Sequence, residues 1–214
     1  MLLEFLSRNA TPVAIAIASV VIAGSIYARS TPVASTTVAY ASERSEFSHV
    51  YGNEDAPTKI IEFSDIECPY CAQIHPTLKQ LVDESNGTLA WEFRHFPLPS
   101  HKNAETAARA AECVGRLAGN EAFWSFLDFA FQNQRLLTAK FYEDTAGALG
   151  VSEDALFECT ENPDIHESIA NDVRTSVSLG GTGTPFSIIQ YEDGSLRPVS
   201  GALPIEQWRS LLNK

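Results

Sequence analysis

Cys68-Pro69-Tyr70-Cys71 is the stretch of this 214-residue sequence whose residue types and spacing carry chemistry by themselves. Two thiols separated by two residues can close a disulfide, or share one with a second molecule. If a helix begins between them, they become unequal. Free backbone N–H groups and the helix dipole stabilise a thiolate at the first cysteine, and that stabilisation fades within one turn. Cys68, at the exposed end, is therefore the candidate nucleophile, and Cys71, a turn further in, the resolving thiol. Half a zinc site or a plain structural disulfide has the same spacing. A four-ligand zinc site usually needs a second close pair, or histidine at ligand spacing. The other cysteines, Cys113 and Cys159, stand far apart, and His166 lies seven residues past Cys159, so no metal is expected.

Two further groups bear on the dithiol. Glu62 lies six residues before Cys68, inside the apolar run Ile60–Phe63. It is either an outward-facing strand carboxylate or one buried beneath the dithiol. In the second case its raised pKa would let it exchange the proton of Cys71. Pro185, following Thr184 at the start of a strand, is a candidate cis proline, although proline is allowed there without it. Against these, Asp65 and Glu67 just upstream are expected to raise the pKa of the Cys68 thiolate. His75, His95 and His101 read as surface or structural, with only His75 at helical spacing on the Cys68 face.

The elements that must position these residues follow from periodicity. Lys59–Ser64 is a short, β-branched strand, and the segment after Pro69 is helical, with Ile74, Leu78, Leu81 and Val82 on one face. Pro69 suits a first-turn position, where its missing N–H costs nothing. Asn86-Gly87 ends that helix, and Thr88–Phe96 alternates as a second strand. From Asn103 to Leu179 the pattern is helical almost without break, with Gly119-Asn120 and Gly150 as stops and Thr138 and Ser152 as caps. The aromatic stripe from Phe123 to Phe131 reads as core, Leu156, Phe157 and Cys159 fall on a short helix, and Ile165, Ile169, Val173 and Val177 recur every fourth residue. Thr184–Tyr191 and Leu196–Ser200 form a hairpin about Glu192–Ser195, and Pro204–Leu212 a last amphipathic helix. The expected fold is α/β: a thioredoxin-type sheet-and-helix domain interrupted by an all-helical insertion at about 103–180.

Composition bounds the rest. Apolar residues make up 44% and charged residues 20%, ordinary for a globular chain, and the net charge is -12. So acidic a body argues against nucleic acid or anionic lipid as the main partner. Pro12–Tyr27 carries no charge and fits a signal-peptide core or short membrane anchor. Ala39-Tyr40-Ala41 resembles a cleavage signature but lies far downstream, which favours an uncleaved anchor. The expected organisation is an anchor over 1–28, a flexible linker over 29–46 and one domain over 47–214, outside the cytoplasm. In such an oxidising space, two leftover cysteines pair more often than not, the alternative being two buried free thiols.

Taken together, these residues resemble the DsbA-like thioredoxin-fold oxidoreductases. The resemblance spans about Phe47 to the C-terminus and rests on the Ile-Glu-Phe strand, Cys68-Pro69-Tyr70-Cys71, Pro76, Phe96-Pro97-Leu98 with His101 and Asn103-Ala104, the helical insertion, and Gly183-Thr184-Pro185-Phe186. It implies that Pro185 is a cis proline facing the dithiol, that Thr184 pairs its backbone with a substrate strand, and that Glu62 is the buried carboxylate. Some relatives also carry a disulfide resembling a Cys113–Cys159 pair. Pro-Tyr between the cysteines is also the glutaredoxin dipeptide, but glutaredoxins are about half this length and lack the insertion. The implied activity is thiol–disulfide exchange with reduced or misoxidised envelope proteins, with no cofactor beyond the Cys68–Cys71 disulfide. The implied reoxidant is a quinone-linked membrane partner of the DsbB or vitamin K epoxide reductase type. The alternatives are a reductase or isomerase using the same residues, or a non-redox binding module of the same fold.

Overall fold

A computed structural model describes residues 48–213; the apolar run Pro12–Tyr27 and the whole linker over 29–46 lie outside the described residues. Among the described residues no helix is long and apolar enough to cross a membrane.

The centre of the molecule is the parallel pair β2 (Thr58–Ser64) and β3 (Leu89–His95), joined by helix α1 (Pro69–Glu84). A parallel pair needs such a crossover, and it is covered on both faces. All seven residues of β3 are buried. The sheet is completed by β1 (His49–Gly52), antiparallel to β3, and by the hairpin β4 (Phe186–Gln190) and β5 (Leu196–Ser200), with β4 antiparallel to β2. The strand order is therefore β1-β3-β2-β4-β5. Strand β1 has no counterpart in the sequence reading: four residues containing a histidine and a glycine show no alternation long enough to detect.

Period-two alternation divides β2 between two cores. Ile60 packs with Ile74, Leu78, Trp91 and Phe93 under α1, whereas Ile61 and Phe63 pack with Phe96, Phe186 and Ile188 on the other face. Glu62 shares the face of Ile60 and so points into the layer beneath α1. Along α1 the buried residues are Cys71, Ile74, His75, Leu78, Leu81 and Val82, the single stripe that a core-facing helix requires. His75 is thus buried, where its Nε2 meets Asp128 at 2.8 Å.

Between β3 and β4 lie five helices: α2 (Ala104–Ala118), α3 (Asn120–Gln132), α4 (Ala139–Ala148), α5 (Glu153–Thr160) and α6 (Pro163–Ser178), with the terminal α7 (Ile205–Leu212) after β5. Alanine favours α2 intrinsically, and Ala104, Ala107, Ala108, Ala110 and Ala111 are all buried against its neighbours. Thr138 and Ser152 cap α4 and α5, accepting from Phe141 N and Ala155 N. The aromatic stripe of α3 is core except for Phe129, which is exposed. Phe157 is exposed, and Val177 is 58% exposed although Ile165 and Ile169 on the same series are buried. A step of four residues overshoots a full turn by about 40°, so three steps rotate the series about 120° away from the core. Cys113 of α2 and Cys159 of α5 are joined in a disulfide with Cα atoms 5.8 Å apart.

Candidate active site

The site is built where β2 ends and α1 begins. Asp65, Ile66 and Glu67 form the turn, Cys68 is the N-cap residue of α1 with φ -73° and ψ 123°, and Pro69 takes the first helical position. This extended cap leaves the first amides of α1 facing the Cys68 sulfur. Both cysteines are free thiols, and both are buried. Cys71 is wholly enclosed, and its Sγ accepts the Asp65 N–H at 3.4 Å. Cys68 is only 3% exposed, not the open end expected from its place at a helix start. The loop before β4 crosses over it: the Thr184 carbonyl oxygen lies 3.6 Å from its Sγ. That loop contains a cis Thr184–Pro185 peptide. It turns tightly, since a Cβ on Gly181 would come within 2.3 Å of the Ser176 hydroxyl. Tyr70 is the exposed member of the motif, at 62%.

The two thiols are electrostatically opposite. Cys68 is pulled down to about 5, first by the hydrogen bond from the Cys71 thiol; burial opposes this, and Thr184 and the amides of Cys71 and Tyr70 add to it. Burial pushes Cys71 far up, helped by its hydrogen bond to Cys68 and by the charges of Glu62 and Cys68. Glu62 is buried, and burial raises its carboxyl to about 8. The Ser64 hydroxyl and the Trp91 indole pull it back somewhat, without either forming a hydrogen bond of ordinary geometry to it. The Cys68 charge raises it slightly further.

Cys68 is held low although Asp65 and Glu67 stand just upstream, and both carboxylates are engaged in hydrogen bonds. The Asp65 side chain accepts from Glu67 N at 2.7 Å, Leu98 N at 2.8 Å and His101 Nδ1 at 2.8 Å. Glu67 accepts from the Asn103 backbone and side chain. These two carboxylates tie the turn to the segment after β3.

A family model described as Thioredoxin matches residues 44–214. The crystal structure of Pseudomonas aeruginosa DsbA2 superposes with a TM-score of 0.67 at 30% identity, covering 77% of this chain and 92% of that one. The chain is a DsbA-like member of the thioredoxin family. The Bacillus cereus protein named probable disulfide bond formation protein D is 27% identical, over 68% of this chain and 69% of its own length. A Herminiimonas arsenicoxydans protein named Na(+)/H(+) antiporter NhaA is 30% identical over 145 residues, which is 68% of this chain but 22% of the antiporter. The chain thus spans about a fifth of the first curated relatives it matches.

Within this DsbA-like chain the structure brings Cys68, Cys71, Glu62, Thr184 and Pro185 to one place, and sets the Cys113–Cys159 disulfide apart in the helical insertion. Of two further neighbours of the dithiol, one was given another role in the sequence reading and one was not singled out there. His101, expected to be surface or structural, is raised above its ordinary value: burial pulls it down, but Asp65, with smaller help from Cys68 and Glu67, outweighs that. Gln134 reaches the active-site turn from the insertion. Its neighbourhood in the sequence carries no signal of this, because the contact spans more than sixty residues.

Proposed function

We propose that the chain is an exported thiol–disulfide oxidoreductase of the cell envelope that introduces disulfides into other proteins. The observation that carries this is the inequality of the two thiols: Cys68 held down to about 5, beside a Cys71 that burial keeps protonated. A client thiolate attacks Cys68 Sγ of the Cys68–Cys71 disulfide, and Cys71 leaves with the electron pair. Glu62, protonated below about 8, is placed to supply the proton that Cys71 then keeps. A second client thiolate attacks the client sulfur of the mixed disulfide, and Cys68 leaves as a thiolate. Two electrons have passed from client to dithiol, and the client holds a new disulfide. Thr184, with its backbone beside Cys68, offers an edge to the extended client segment, and Pro185 fixes that edge. Reoxidation falls to a membrane partner of the DsbB or vitamin K epoxide reductase type. The apolar run Pro12–Tyr27 would hold the domain at the membrane, outside the cytoplasm. The names of the Pseudomonas and Bacillus relatives support this reading.

Trapping tests it. Cys71→Ser should accumulate client mixed disulfides through Cys68, and Cys68→Ser should accumulate few and lose activity. Equilibration of the wild-type chain with glutathione gives the direction of flow. A potential at or below that of thioredoxin, about -270 mV, would replace the oxidase by a reductase. A dithiol that does not exchange at all would leave only a non-redox binding module.

A further inference from the structure

The turn that carries Cys68 is held from outside its own sheet and helix. After α3, a single 3-10 turn over Gln134–Leu136 precedes α4. It is fixed at both ends: the Asn133 side chain donates to Phe129 O at 2.8 Å, Leu136 N donates to Asn133 O at 2.7 Å, and Leu137 is buried in the core. From this turn the half-buried side chain of Gln134 donates Nε2–H to Ile66 O and to Cys68 O, each at 2.8 Å. One carboxamide nitrogen has two N–H groups, and here each meets a carbonyl on either side of Glu67. Cys68 O already accepts from the amides of Cys71 and Ala72, so the first turn of α1 is pinned at the peptide that carries the nucleophile.

We propose that Gln134 is a positioning residue of the redox site: it clamps the Ile66 and Cys68 carbonyls so that the first amides of α1 stay aimed at Cys68 Sγ, and its own N–H dipole adds to the field that favours the thiolate. This rests on the exchange function proposed above. It gives the helical insertion a part in setting the chemistry of the dithiol, beyond covering it. The physical basis is directional. Donors aimed at a site where charge accumulates lower its energy without reorganising, and a clamp made from a second element keeps them aimed. Because the effect is on the charged, reduced form, losing the clamp shifts the equilibrium toward the disulfide.

The test uses the full-length chain in detergent, with Gln134→Ala, Gln134→Glu and Gln134→Lys. The readouts are thiolate absorbance against pH and equilibration with glutathione. Wild type is measured first: if its dithiol does not exchange, the function proposed above fails, and this inference with it. Given an active wild type, Gln134→Ala should make Cys68 about a tenfold weaker acid and lower the reduced-to-oxidised ratio about tenfold, which is a potential lower by about 30 mV. Gln134→Glu, which places an acceptor and a charge against the same two carbonyls, should go further in the same direction. Gln134→Lys restores N–H donors and should bring the acidity of Cys68 to within about threefold of wild type or above it. Acidity and potential within about twofold of wild type in Gln134→Ala, whatever happens to its melting temperature, would reduce Gln134 to a structural contact and overturn the proposal. So would a shift in Gln134→Ala that Gln134→Lys does not reverse. If Gln134→Ala does not fold, the opposite displacements expected of the Glu and Lys variants decide.

Discussion

Replacing Glu62 by glutamine separates its cost from its use. Burial raises this carboxyl from 4.5 to about 8, so the folded protein holds the proton more tightly than the unfolded chain does. Between those two values the unfolded state binds fewer protons, and stability must fall as pH rises. Below about 4.5 the cost is absent, and above about 8 it is complete. At about 1.4 kcal/mol per tenfold, a gap of about 3.5 pH units sets a ceiling of about 5 kcal/mol. Relaxation around the buried charge lowers what is measured to about 2–4 kcal/mol. The assay is urea unfolding of the oxidised full-length chain near pH 5 and near pH 9, where the Cys68–Cys71 disulfide removes the Cys68 charge and leaves burial as the main cause. Glu62→Gln keeps the shape and cannot ionise. Near pH 5 it should match wild type within about 1 kcal/mol, and near pH 9 it should be more stable by about 2–4 kcal/mol. The same variant should slow the first exchange, in which Cys71 leaves and takes up a proton, and spare the second, in which Cys68 leaves as a thiolate. A difference between variant and wild type that is the same at both pH values would refute the reasoning, because no buried group at position 62 would then be titrating in that window.

Replacing Cys113 and Cys159 together by alanine opens a loop with a sequence separation of 46 and should cost about 4 kcal/mol in urea unfolding, with thiol exchange at Cys68 retained. The potential of the dithiol should fall by about 30 mV for each pH unit above about 5, where Cys68 is already a thiolate and only Cys71 takes up a proton, and by about 59 mV below it; one slope throughout would contradict the assignment. A C-terminal fusion to a reporter active only after export should be active, and the fusion should sediment with membranes; an inactive export reporter beside an active cytoplasmic one would reverse the topology.

What was legible in the sequence is what local pattern encodes. The strand Thr58–Ser64, the helix from Pro69 and the capped helices α4 and α5 each carry a periodicity or a cap within a few residues. The edge strand His49–Gly52 does not, because it is too short and owes its pairing to Phe93, Glu92, Trp91 and Ala90 far along the chain. The face of Glu62 follows from alternation once β2 is known to be buried on both sides, but that burial depends on α1 and α6 and is not written in β2. The order of the two thiols was legible, Cys68 low and Cys71 high, but the side chains around Cys68 were not. Asp65 and Glu67 are adjacent in sequence and were expected to soften the helix-end effect, yet Cys68 is held low while their carboxylates bind Leu98, His101 and Asn103. Gln134 is remote in sequence and donates directly to the peptide of the nucleophile. Side-chain direction is set by the partners that folding supplies, and a linear reading sees only proximity along the chain.

The direction of electron flow can be bounded from the same geometry. At pH 7, lowering a thiol from about 7, as in thioredoxin, to about 5 stabilises the reduced form by about 2.3 kcal/mol. For a two-electron couple that is about 50 mV, which would carry a thioredoxin-like potential near -270 mV up to about -220 mV. On the exchange function proposed above, such a thiolate would make the disulfide a moderate oxidant, within reach of a glutathione pool and about 100 mV short of the strongest oxidant of this fold. A couple poised there is not held oxidised by its own potential. If the chain introduces disulfides, its oxidised state must be maintained by the rate at which a membrane partner removes electrons. On that proposal the same dithiol deprived of its partner would run toward reduction, and the identity of the reoxidant, more than any residue at the site, would decide which way Cys68 works.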